Sequence, residues 1–116
     1  TRIFCGLNEV RNIIPSIHYA LEGGMIPQAT LCITFSPVHT VEYYTAIADK
    51  LIEAGAPEIC LKDMAGVGRP AMLGQLTKAI KERHPEVLIQ YHAIAGPDCQ
   101  WLPFLKFVRM VLILLM

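Results

Sequence analysis

Apolar positions along the 116-residue chain fall into two alternating kinds of stretch. Compact runs at residues 2–4, 29–35, 58–61 and 87–91 read as strands, the second and fourth being rich in β-branched or large aliphatic side chains. Between them the apolar residues recur at helical spacing. Ile14, Ile17, His18 and Leu21 share one face, as do Tyr44, Ile47, Ala48 and Leu51, and then Leu73, Leu76 and Ile80. Pro15 and Pro70 suit a first helical turn, and Gly23 and Gly55 the position just past a helix end. The predicted order is β-α-β-α-β-α-β.

Strand starts at residues 2, 29, 58 and 87 lie 27, 29 and 29 residues apart, the rhythm of a repeated βα unit and of a parallel sheet. Eight such units of about 30 residues make a (β/α)8 barrel of roughly 250. Four strands therefore predict an α/β chain forming about half of a TIM barrel. A doubly wound sheet fits less well. The first βα turn has no GxGxxG, and residues 65–70 lack the Gly-Lys-Ser/Thr of a phosphate loop.

Composition narrows the partners. A chain that is 53% hydrophobic and 17% charged can bury a core and is not a disordered tail. Ten basic against ten acidic side chains leave no electrostatic footprint for nucleic acid, which is not expected as a partner. Cys5, Cys32, Cys60 and Cys99 form neither a CxxC pair nor a secreted framework, which favours a reducing cytosol. Thr1-Arg2-Ile3-Phe4 has no signal-peptide pattern and reads as the middle of a protein.

In a βα barrel, reactive residues gather where strands end at the C-terminal face. Those positions hold Cys5 with Asn8, the stretch from Thr34 to His39, Lys62-Asp63, and His92. A lysine at a strand end is costly to bury as a cation, which suits a depressed-pKa amine, a Schiff-base former or a carbamate ligand, or else a salt-bridged side chain. His92 is either a metal ligand or a hydrogen-bonded structural histidine.

The stretch Ile59-Cys60-Leu61-Lys62-Asp63-Met64-Ala65-Gly66 resembles the I-x-I-K-D-M-A-G signature of biotin-dependent carboxyltransferase domains. Residues 2–12 resemble that family's R-I-F-D-x-L-N-D-x-R-N, and Ser36-Pro37-Val38-His39-Thr40 and Gln90-Tyr91-His92 follow in the right order. The likeness covers residues 2–92 and points to pyruvate carboxylase, the oxaloacetate decarboxylase α chain or the methylmalonyl-CoA transcarboxylase. It implies strands four to seven of the family barrel and a partial carboxyltransferase domain over residues 1–92.

The resemblance further implies a divalent metal (zinc, cobalt or manganese) held by a first-strand aspartate, a carbamylated lysine and both histidines of an H-x-H. Lys62 matches the lysine, which is also the implied catalytic residue, and His92 matches the first histidine. Carbamylation converts a cation into an oxygen-donor anion, and the metal polarises a keto acid so that its enolate is stabilised. Pyruvate or oxaloacetate is the implied substrate, with biotin carried by a partner domain or subunit, and an oligomeric, cytoplasmic parent enzyme. Thr34, His39 and Asp63 are candidates for the substrate pocket. A loop-capping role for the SPVHT turn, and a backbone or Lys62-orienting role for Asp63, are the alternatives.

Three departures stand out. Ile94 replaces the second histidine, the first-strand aspartate has no counterpart in this sequence, and Cys5 stands where the family has aspartate, as a structural thiol. The segment from residue 93 onward, HAIAGPDCQWLPFLKFVRMVLILLM when read from His92, replaces a family continuation resembling HGHSGPGLSMAS. Deleting one G from CAT GGC CAT AGC GGG CCC GGA CTG TCA, which encodes HGHSGPGLS, yields CAT GCC ATA GCG GGC CCG GAC TGT CA, which encodes HAIAGPDC. A one-base deletion just after His92 thus accounts for an out-of-frame apolar tail over residues 93–116. Residues 101–116, with Pro103, Lys106 and Arg109, fall short of the roughly 20 apolar residues of a membrane span, and membrane insertion is not expected.

Lyases and acyl-condensing enzymes on related metal-bearing barrels form a second functional class, and Lys62 is the discriminator, since they are not expected to carry this lysine. A non-functional truncated relic is the third reading. It is the one expected of the isolated chain, because half a barrel has open sheet edges.

Overall fold

The computed structural model describes residues 1–93. Four strands, β1 (Arg2–Ile3), β2 (Gln28–Cys32), β3 (Glu58–Asp63) and β4 (Leu88–Ala93), alternate with three helices, α1 (Val10–Glu22), α2 (Val41–Glu53) and α3 (Pro70–Arg83). All neighbouring strands pair in parallel, in the order β1-β2-β3-β4. The alternation predicted from the periodicity is therefore present, with the right number of units.

Side chains alternate across a strand. One face of the sheet presents Ala29, Leu31, Ile33, Ile59 and Leu61, all buried against the helices. Tyr44, Ile47, Ala48 and Leu51 of α2 and Leu73, Leu76 and Ile80 of α3 pack on it, the two stripes that helical spacing picks out. The opposite face carries Arg2, Gln28, Glu58, Gln90, Lys62 and His92, with Thr30, Cys32 and Cys60 sunk between them.

Helix α1 departs from the expected stripe. Ile13, Ile17 and Ala20 are buried, whereas His18 is exposed and Leu21 is 44% exposed. The helix begins at Val10, so Pro15 lies in its interior rather than in its first turn. Pro15 and Arg11 are both exposed, so water can take the carbonyl that proline leaves without an amide partner.

Strand β2 ends before the expected Phe35. The Ile33 amide still bonds the Lys62 carbonyl at 2.8 Å, but the Thr34 amide donates to the Tyr44 hydroxyl at 2.8 Å, which takes the chain out of the ladder. Strand β3 runs on to Asp63, and β4 begins at Leu88 and extends to Ala93.

Helix ends follow local chemistry. Thr40 caps α2 by accepting the Tyr43 amide at 3.2 Å, and Glu9 caps α1 by accepting that of Arg11 at 3.1 Å. Gly55, just past α2, has a φ of +111°, a conformation that side chains oppose. Gly23 sits at the end of α1 as expected, but the left-handed turn falls on Gly24. At the far end of α3, Lys81 donates to the carbonyls of Pro85 and Val87 at 3.0 and 2.6 Å. His84 sits at the end of α3, half-buried, and pairs with Asp49 of α2 at 2.8 Å.

No described helix is long and apolar enough to cross a membrane. The apolar tail read from the sequence, beyond Ala93, lies outside the described residues.

Candidate functional site

Equal spacing of the βα units fixes where the reactive side chains meet. Cys32, Lys62 and His92 are register partners across β2, β3 and β4, so the three side chains leave the open face in one row near the strands' C-terminal ends. The Lys62 ammonium lies 3.9 Å from the centroid of the Phe4 ring. An aromatic face stabilises a cation there, and Lys62 remains partly exposed.

His92 is not free-standing. Arg2 crosses the open face from β1, and its Nη1 lies 2.9 Å from His92 Nδ1. Arg2 also donates through Nη2 to Gln90 at 2.7 Å and through Nε to Gln28 at 2.6 Å. Gln28 passes the chain on to Glu58 at 3.0 Å.

Asp63 faces the other way, because adjacent strand residues alternate. Its buried carboxylate accepts the Val67 and Gly68 amides at 2.9 and 2.7 Å, folding the loop that leads into α3. The Tyr91 hydroxyl reaches it at 3.4 Å. Burial first, then the Asp63 charge and hydrogen bond, push the Tyr91 phenol up to about 12. Asp63 thus bonds backbone, on the face opposite Lys62.

Thr34 and His39 do meet. They line a cleft of about 210 Å3 with Phe35, Ser36, Gly68 and Arg69, between the end of β2 and the start of α3. His39 Nδ1 lies 2.6 Å from the Ser36 hydroxyl, which also accepts the Val38 amide, and its ring stacks edge-on against Tyr43. Arg69 lies over the Phe35 ring at 3.9 Å. The SPVHT turn therefore both caps α2 and walls the cleft. Asp63 does not line the cleft and shapes it through Val67 and Gly68, both of which do.

At the end of β1, Cys5 accepts from the Glu9 and Leu7 amides and from the Asn12 side chain, which together hold its thiol below the ordinary value. Burial pushes the Cys32 and Cys60 thiols up. Asn8, in a left-handed conformation with φ 54°, donates to the Cys32 carbonyl at 2.9 Å and accepts the Cys32 amide at 2.8 Å. Sequence reasoning gave Arg2, Phe4 and Arg69 no role. Alternation along β1 would have put Arg2 on the same face as Lys62.

No protein-family profile matches the chain. Individual relatives do. A pyruvate carboxylase subunit of Methanocaldococcus jannaschii is 46% identical over 81 residues, covering 70% of this chain and 14% of the relative. The chain belongs to the carboxyltransferase family of pyruvate carboxylase. The methylmalonyl-CoA carboxyltransferase 5S subunit of Propionibacterium freudenreichii subsp. shermanii is 36% identical over 98 residues, 82% of this chain and 19% of the relative. The solved carboxyl transferase domain of Rhizobium etli pyruvate carboxylase superposes with a TM-score of 0.87 at 31% identity, covering 94% of this chain and 19% of that one. The four parallel strands are accordingly part of a carboxyltransferase TIM barrel, and the chain spans under a fifth of the length of these relatives.

The donor set of this carboxyltransferase chain can be weighed against the metal that the resemblance implies. Lys62 is accessible to carbamylation and shares its row with His92, but two ligands do not close a divalent site. Among the described residues no three His, Cys, Asp or Glu side chains converge. His92, moreover, is engaged by Arg2. The residues present do not by themselves fit a bound ion.

Proposed function

We propose that this chain is a portion of a carboxyltransferase domain that moves CO2 between carboxybiotin and a keto acid, pyruvate or oxaloacetate. The observation that carries the reading is the Lys62–His92 row on the open face of the sheet, joined to the family membership. In this reading Lys62 and His92 are part of the metal site of the whole barrel, for zinc, cobalt or manganese, and Lys62 is the catalytic lysine. Thr34 and His39 line the substrate-side cleft and Asp63 braces it through the Val67 and Gly68 amides. Biotin arrives on a partner domain or subunit, and the parent enzyme is an oligomer in the cytoplasm.

The isolated chain does not turn over, because the described residues supply two ligands and one side of a pocket. Supporting the carboxyltransferase over the lyases and acyl-condensing enzymes is Lys62 within its KDMAG stretch. We further propose that the tail arises from a one-base deletion after His92. Reading the source DNA checks this: no single-base insertion that restores HGHSGPGLS means the idea is wrong.

The functional reading is tested by replacing the matching segment of the Rhizobium etli domain with residues 1–92 of this chain and measuring oxaloacetate decarboxylation with biotin. Retained turnover, lost at least about a hundredfold on Lys62→Ala, is expected, the scale on which a positioned catalytic group acts. A folded chimera indifferent to Lys62→Ala overturns the proposal. The isolated chain, assayed likewise with added metal, is expected to show no metal-dependent turnover.

A further inference from the structure

His92 has two ring nitrogens, and what contacts Nδ1 decides what Nε2 offers. The contact is the Arg2 guanidinium, at 2.9 Å. Arginine has five N–H donors and no acceptor, so Nδ1 must accept. In the neutral ring the remaining proton then sits on Nε2. A metal binds through a bare ring nitrogen, and a ligating histidine ordinarily donates its other N–H to an oxygen acceptor. Here the second partner is a donor, the reverse of that arrangement, and it occupies the nitrogen that carries the lone pair.

We infer that Arg2 is a positioning residue of the isolated chain: with the barrel's further ligands absent from the described residues, it holds His92 as the Nε2–H tautomer and thereby keeps the Lys62–His92 row from taking a divalent cation. Arg2 is itself anchored. Gln28 accepts from its Nε at 2.6 Å and Gln90 from its Nη2 at 2.7 Å, and Gln28 also donates to Gln90 at 2.9 Å and to Glu58 at 3.0 Å. These contacts hold the guanidinium in one orientation, with Nη1 directed at the imidazole. A cation entering the row meets a fixed positive charge and a nitrogen already engaged. The inference deepens the reading of Lys62 and His92 as metal-site residues and rests on it.

The test uses the full chain. Long-range 15N–1H NMR of the imidazole is expected to show His92 as the Nε2–H tautomer, and Arg2→Met to shift it toward a mixture, with Arg2→Lys between the two. Titration with Co2+ is expected to show about tenfold tighter binding in Arg2→Met than in the parent, the scale of a second partner's effect on a ligating histidine. Adding His92→Gln to Arg2→Met should abolish that gain. An Nδ1–H tautomer in the parent, or a tautomer that Arg2→Met leaves unchanged, overturns the role of Arg2 whatever the metal does. The expected tautomers without any His92-dependent gain in Co2+ binding overturn the block. The carboxyltransferase reading fails separately, if the chimera is indifferent to Lys62→Ala.

Discussion

The two faces of one sheet follow different rules. On the helix side, Leu31, Ile59 and Leu61 have no exposed surface, and apolar contact with α2 and α3 dominates. On the other side, Arg2, Gln28, Glu58 and Gln90 form a hydrogen-bonded polar sheet whose side chains reach solvent among the described residues. The same strands thus separate stability from chemistry, residue by residue. Lys62 and Asp63 are neighbours in sequence, yet one belongs to the reactive row and the other braces a loop behind it.

That contrast can be broken most severely from the covered face. Leu61→Ala is expected to cost about 3 kcal/mol in urea denaturation, the middle of the range for a buried leucine. Gln90→Ala on the open face should stay within about 0.5 kcal/mol. Equal losses at the two positions would refute the division. Next comes Gly68→Ala, where a Cβ would meet Asp63 Oδ2 at 2.7 Å and Leu73 Cδ1 at 2.8 Å. A destabilisation of about 2 kcal/mol, with loss of amide-exchange protection at Val67, is expected from this overpacking. Thr40→Ala removes the cap of α2 and should lower stability by about 1 kcal/mol on the same assay.

The smallest effect is a pH dependence. The Tyr91 phenol is raised from 10.0 to about 12 in the folded chain. Between those values the folded state binds the proton more tightly than the unfolded one, so the contribution is intact below about 10 and is lost as pH rises through about 12. Alkaline denaturation of Tyr91→Phe should lack that component, and an unchanged slope would assign it elsewhere.

Much of this arrangement was legible in the sequence, for identifiable reasons. The stripes of α2 and α3 are set by local spacing, but the predicted 29-residue strand interval would set Lys62 opposite Tyr91, and the observed offset of Glu58 on Leu88, one residue longer, brings His92 there instead. Alternation likewise places Asp63 on the other face. Helix α1 is ambiguous in the sequence because adjacent Ile13 and Ile14 support two stripes. The structure buries Ile13 and leaves Ile14 only partly covered, a choice that no periodicity reports. The end of β2 depends on the Tyr44 hydroxyl, ten residues from Thr34, and the Arg2–His92 contact joins residues 90 apart. Contacts across such separations have no signature in a local pattern.

The turn at Asn8 has a consequence for which amino acids the position admits. Its backbone is left-handed, which glycine, asparagine and aspartate tolerate. Its side chain donates to the Cys32 carbonyl and accepts from the Cys32 amide, which a carboxamide does through two separate atoms. Glycine meets the first demand alone, glutamine the second, and an ionised aspartate cannot donate. Asparagine meets both demands at once, so one residue both turns the chain out of β1 and ties the start of α1 to the end of β2.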